Sequence, residues 1–253
     1  MQDPTFNQHP HRCRFDWGRR GVRDAAARGD VIVIVDVLRF SSCVAVAVER
    51  GSSVYPCAYE AEADEIARRV GGRVAVAPPG SRAGFALVPT FTEAQAGEAI
   101  VLRTLNGAEC TLLAASAPHV FAGALLNASA VARAVAQILD ASDLCATVVA
   151  CGERRPDTMD GEAISFAIED YLGAGAVLSA IGRDLSPEAR VCTAAFERSR
   201  GDVLGLLLDC GSGRQLRAWG LEDDARFAAQ IDAHACVPKL SGERYTGDGS
   251  TSK

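Results

Sequence analysis

The sequence predicts an α/β protein in three layers, helix, sheet and helix, with a largely parallel or mixed sheet. Three observations predict it. Two runs, VIVIV (31–35) and ATVVA (146–150), are almost wholly apolar and rich in β-branched residues, as strands covered on both faces must be. Strand-like runs of four to seven residues alternate with longer helix-like ones along most of the chain. The 253 residues, 48% hydrophobic and 23% charged, suffice for a sizeable core in one large domain or two compact ones. No fixed-period repeat is present, which excludes a solenoid.

Taken in order, VIVIVDV is a strand, and SSCVAVAVERG is the helix after it, stopped by Gly51. SVYPCA is a short strand. EAEADEIARRVGG is an amphipathic helix with acids early, arginines late and glycine at its end. RVAVA and AIVLRT are strands, and LNGAECTLLAAS is a turn opening a helix. HVFAGA is a strand, and NASAVARAVAQILDAS is a helix that Asn127 is placed to cap. CATVVACG is a strand, EAISFAIEDYLGAGAVLSAI a long helix, SPEARVCTAAFERSR a helix opened by Ser-Pro, and DDARFAAQIDAHACVPKL closes the fold. Residues 1–12 and 241–253 are polar and read as disordered tails around a 13–240 domain, with a subdomain boundary expected near 110–145.

Composition excludes several classes. A net charge of −6 argues against nucleic-acid or membrane-surface binding. No apolar run approaches the roughly 20 residues of a membrane span, and the polar start has no signal core, so the cytoplasm is the expected location. The nine cysteines form no CxxC pair and the four histidines are scattered, which speaks against a zinc site and a disulfide framework. There is no Walker loop, GxGxxG or GxSxG. Cys13–Arg19 (CRFDWGR) and Cys192–Arg198 (CTAAFER) match the letters of a cysteine phosphatase. The first follows no evident strand and the second reads as mid-helix, so neither supplies the anion loop that chemistry needs.

In open α/β sheets ligands bind beyond the carboxyl ends of the strands. Four such ends are polar here. VIVIV leads to Asp36, Arg39, Ser41 and Ser42; AIVLR to Thr104, Asn106 and Gly107; VFAGALL to Asn127; TVVAC to Gly152, Glu153 and Arg154. Each group alone also fits helix capping or a solvated face. Together they form an anion cradle, with Arg39 and Arg154 as forks for phosphate. Asp36 and Glu153 would repel a bare phosphate, and a hard cation such as Mg²⁺ reconciles them with it. Glu169 and Asp170 interrupt an apolar helix; either they lie on a solvated face, or they are buried with a partner: a metal, Arg39 or Arg154.

These segments resemble the Mg²⁺-dependent 2-phosphosulfolactate phosphatases. The resemblance lies in VDVLRFSSCVAVAVERG, TLNGAECTLLA, FAGALLNASAVA, ACGERR, AIEDYLGAGAVL and, more loosely, RFAAQIDAHACVPKL, with Trp17-Gly18 ahead of them. It departs at 84–95 (GFALVPTFTEAQ) and at Leu105, both in the presumed substrate loops. The resemblance implies an α/β/α homodimer that hydrolyses a small phosphorylated acid, with or without a sulfonate group. Asp36, Arg39, Asn106, Gly107, Asn127, Gly152, Arg154, Glu169 and Asp170 fall on its motif positions. The expected roles follow. Asp36 with Glu169 or Asp170 holds Mg²⁺, or Asp36 attacks phosphorus. Arg39 and Arg154 stabilise charge, Glu153 transfers a proton, and Ser41, Ser42, Thr104, Asn106, Gly107, Asn127 and Gly152 bind substrate. A phosphate-recognising lyase or transferase and a non-catalytic binder of phosphorylated metabolites remain open beside this reading.

Overall fold

The computed structural model describes residues 4–76, 82–154 and 164–247. Strand β1 (Cys13–Trp17) runs into helix α1 (Gly18–Arg28), and β2 (Val31–Val35) leads to α2 (Phe40–Glu49). β3 (Ser53–Cys57), α3 (Glu60–Val70), the short β4 (Arg73–Val74), β5 (Ala99–Arg103) and α4 (Gly107–Ala114) follow. Next come β6 (Val120–Gly123), α5 (Ala128–Ala141), β7 (Ala146–Ala150) and a small pair, β8 (Glu153–Arg154) and β9 (Ile164–Ser165). Helices α6 (Ile168–Ile181), α7 (Pro187–Ser199), α8 (Val203–Asp209), α9 (Gly211–Ala218) and α10 (Glu222–Ala228) precede a last hairpin, β10 (Lys239–Ser241) and β11 (Arg244–Thr246).

Among the described residues nine strands form one sheet in the order β1-β7-β2-β6-β10-β11-β3-β5-β4. β1, β7, β2 and β6 make one parallel block, and β3, β5 and β4 another. The β10–β11 hairpin joins them, pairing antiparallel with β6 on one side and β3 on the other. α1 packs on α4, and α6 packs between α5 and α7, so helices layer the sheet on both faces. Every residue of β2 and β7 is buried, as their composition predicts.

Three expectations are corrected. Residues 241–247 are not a tail. They complete the hairpin at the centre of the sheet, where Tyr245 is fully buried and its hydroxyl meets that of Thr111 at 2.9 Å. Residues 4–12 are also held: Arg12 donates to the carbonyls of Leu139, Ser142 and Leu144, and Gln8 bonds to Phe15. Residues 1–3 and 248–253 lie outside the described residues. CRFDWGR follows no strand, as expected; it is itself strand β1 and the start of α1, at the edge of the sheet. The first parallel block takes strands from both sides of residues 110–145 in the chain. Finally, the long helix begins at Ile168, after β9, and puts Glu169 and Asp170 in its first turn, where the helix dipole favours acids. Its expected start, Glu162–Ala163, lies outside the described residues.

Candidate active site

A cleft of about 260 Å³ opens beyond the carboxyl ends of β2 and β5, lined by Asp36, Arg39, Arg103, Thr104, Asn106 and Glu153, with Phe85, Ser212, Gln215 and Trp219 opposite. A second hollow of about 620 Å³ shares Glu153, Ser212 and Gln215 with it and reaches Arg154, Glu169 and Arg214.

Asp36 is 5% exposed. Its Oδ1 accepts the Phe40 N–H at 3.0 Å and its Oδ2 the Gly107 N–H at 2.9 Å. Two helix starts, α2 and α4, therefore aim at one carboxylate. Only glycine permits the second contact, since a Cβ at position 107 would lie 2.4 Å from the Phe40 ring. Burial raises the Asp36 carboxyl to about 6. The two N–H bonds and Arg39 work against that rise, and the charge of Glu169 adds to it.

Arg39 is 6% exposed, and its partner is neither Glu169 nor Asp170 but Asp224 of α10, with Nη1 2.5 Å from Oδ2. The Phe85 ring covers the guanidinium, its centroid 4.4 Å from Cζ. Asp170 braces the backbone: Oδ1 accepts the Val37 N–H at 2.7 Å and Oδ2 the Gly152 N–H at 2.9 Å. Burial, with Asp36 and Glu169 nearby, lifts its carboxyl well above the usual range. Glu169 is 2% exposed, and its charge adds to the rise that burial imposes on the Cys210 thiol. Arg154 stands 3.6 Å from Glu109, which also pairs with Arg19.

The sequence-predicted set thus divides. Asp36, Arg39, Thr104, Asn106 and Glu153 come together in the first cleft, and Arg154 and Glu169 line the adjoining hollow. The Thr104 hydroxyl also accepts the Ala108 N–H. Gly107 and Gly152 contribute N–H groups to the two aspartates. Gly152 needs its φ of +71°, and a side chain there would strike Ile164 and Trp17. Three residues are turned inward. Ser41 accepts the Asp36 N–H and donates to the Ile34 carbonyl, and Ser42 donates to the Val37 carbonyl. Asn127 does not cap α5. Its amide serves Ala124, Ala122 and Cys236, while Asp232 caps the helix through Ser129.

Sequence reasoning passed over Arg103, Phe85, Ser212, Gln215, Trp219 and Asp224. Arg103 carried a signal, as the last residue of the AIVLR strand. The others come from segments with no polar strand end. No cysteine is poised as a nucleophile: Cys192 lies in the middle of α7 and fully buried, and burial pushes the Cys210 thiol up to about 12. Among the described residues no three His, Cys, Asp or Glu side chains are grouped so as to enclose a metal ion. The carboxylates lining the clefts, Asp36, Glu153 and Glu169, are hard oxygen ligands of the kind that suit Mg²⁺.

The family model for 2-phosphosulpholactate phosphatase matches residues 20–243. The chain is 31% identical over 226 residues to a probable 2-phosphosulfolactate phosphatase of Symbiobacterium thermophilum, covering 83% of this chain and 91% of that one. The chain belongs to the 2-phosphosulfolactate phosphatase family. It is also 30% identical to a probable 2-phosphosulfolactate phosphatase of Gloeobacter violaceus, covering 83% and 88%. The 2-phosphosulfolactate phosphatase of Methanocaldococcus jannaschii is 28% identical, covering 79% and 84%. This family is one of phosphoric monoester hydrolases, and the matched span holds Asp36, Arg39, Glu153 and Glu169.

Proposed function

We propose that this protein hydrolyses 2-phosphosulfolactate, or a close phosphorylated acid, to the hydroxy acid and phosphate in a Mg²⁺-dependent reaction. The observation that carries the reading is Asp36. It is a buried carboxylate held by two helix-start N–H groups at the floor of a cleft that also exposes Arg39 and Arg103. Mg²⁺ bound by Asp36 and Glu169 would neutralise phosphate charge and offset the repulsion between those two acids. Arg39 and Arg103 grip the phosphoryl oxygens and stabilise the charge that builds on them. Glu153, common to both hollows, protonates the departing alkoxide. The N–H bonds on both oxygens of Asp36 blunt it as a nucleophile and favour a role as ligand. The family resemblance extends the proposal to a cytoplasmic homodimer that does not bind nucleic acid. No helix among the described residues is long and apolar enough to cross a membrane.

Release of phosphate from 2-phosphosulfolactate, with Mg²⁺ and with EDTA, tests the reading. Turnover is expected only with the metal, and Asp36→Asn is expected to lower kcat at least about a hundredfold. Binding without turnover by the wild type would instead support a non-catalytic binder.

A further inference from the structure

Arg39 is the most buried cation of the cleft, and a side chain of its length does not hold one direction unaided. Its carboxylate partner lies 185 residues away in the chain. Asp224 is 1% exposed and accepts three bonds: Oδ2 from Arg39 and from the Leu87 N–H at 2.9 Å, and Oδ1 from the Val88 N–H at 2.9 Å. Those amides belong to the segment that carries Phe85, whose ring covers the guanidinium face. One carboxylate therefore ties together the first turn of α10, the 85–88 segment and the arginine. A guanidinium has five N–H donors in a rigid fork. With one edge bonded to Asp224 and one face against Phe85, its orientation is set before any anion arrives, and so the ordering cost of binding falls.

We infer that Asp224 is a positioning residue, which aims the Arg39 fork at the phosphoryl group. This rests on the phosphatase reading above. Asp224 lines neither hollow, so it acts through Arg39 and has no contact with substrate of its own. The rival account is that Asp224 only docks α10 onto the 87–88 backbone.

The experiment compares wild type, Asp224→Asn, Arg39→Lys and the double variant, reading KM for 2-phosphosulfolactate and the inhibition constant of inorganic phosphate. Asp224→Asn preserves shape and removes the charge. It is expected to raise both constants about tenfold to a hundredfold, the scale of a misaligned binding group. The double variant is expected to lie within about threefold of Arg39→Lys alone, because both changes spoil the same interaction. Leu221→Ala supplies the structural control. It loosens the apolar packing of α10 around Ala86, Leu216 and Ala225 and leaves the ion pair in place. If Leu221→Ala, at an equal loss of thermal stability, raises the constants as much as Asp224→Asn, the inference is overturned. It is equally overturned if the Asp224→Asn and Arg39→Lys effects multiply independently. Should Asp224→Asn not fold, Asp224→Glu carries the test: the charge returns on a longer arm, and a shifted phosphate inhibition constant with wild-type stability is expected. An unchanged constant refutes positioning. If wild type turns over and these variants bind phosphate normally, only the role of Asp224 falls; if wild type does not turn over, the phosphatase reading falls with it.

Discussion

Asp170 is placed to hold two strand ends at once, and replacing it with asparagine measures that brace. Both carboxylate oxygens accept backbone N–H groups, from Val37 just past β2 at 2.7 Å and from Gly152 just past β7 at 2.9 Å, at 3% exposure. An asparagine oxygen retains one of these bonds. Its NH₂ must face the other N–H, which leaves a buried donor unpaired at a cost of about 1–3 kcal/mol, and the surviving bond loses its charge assistance. A partial gain offsets this, because burial disfavours the Asp170 charge and its carboxyl is raised well above the usual range. The net expectation for Asp170→Asn is a loss of about 2 kcal/mol, which lowers Tm by about 4–8 °C in a chain of this size. Urea unfolding at neutral pH with EDTA, followed by tryptophan fluorescence, reads it directly. Because the two N–H groups flank Asp36 and Glu153, kcat/KM should fall as well. A variant as stable as wild type or more so would refute the brace. It would mean that the cost of burying the charge outweighs the two bonds.

The pH dependence of Asp36 has a definite sign. Its carboxyl, at about 6 in the fold against an ordinary 3.8, holds its proton more tightly when folded, so its stabilising contribution is full below about pH 3.8 and lost as pH rises through about 6. In EDTA, the stability of Asp36→Asn relative to wild type should therefore improve by on the order of 2 kcal/mol between about pH 4.5 and 7.5; a gap that does not change with pH would contradict the burial argument. Tyr245→Ala empties a fully buried site at the centre of the sheet and removes the hydroxyl bond to Thr111, so a loss of about 3–5 kcal/mol in urea unfolding is expected. A loss under about 1 kcal/mol would mean that the last hairpin unfolds separately from the sheet.

Strands β2 and β7 were legible in sequence because they are covered on both faces, and a strand with no solvent face carries almost only apolar residues. Strand β1 escaped because it is a sheet edge and reads CRFDW, with a charge at every second position. The hairpin at 239–246 escaped for a related reason. Its strands are three residues long, too short for a period to show, and sit in a polar context. Of the site, Asp36, Arg39, Thr104, Asn106 and Glu153 were legible as polar residues just past apolar strands. Ser41, Ser42 and Asn127 satisfy the same rule but spend their hydrogen bonds on local backbone. A sequence does not say whether a short polar side chain turns toward the cleft or back to a carbonyl.

The sequence by itself determined the α/β class and the carboxylate at the end of β2, which rest on local pattern, and the family, which rests on the resemblance of whole segments. Only the tertiary structure decided which charges meet. Arg39 finds Asp224 across 185 residues, Asp170 spans from Val37 to Gly152, and a terminal hairpin closes the gap between two parallel blocks. These pairings are matters of three-dimensional distance in a buried, weakly screened interior, and linear spacing does not encode that distance.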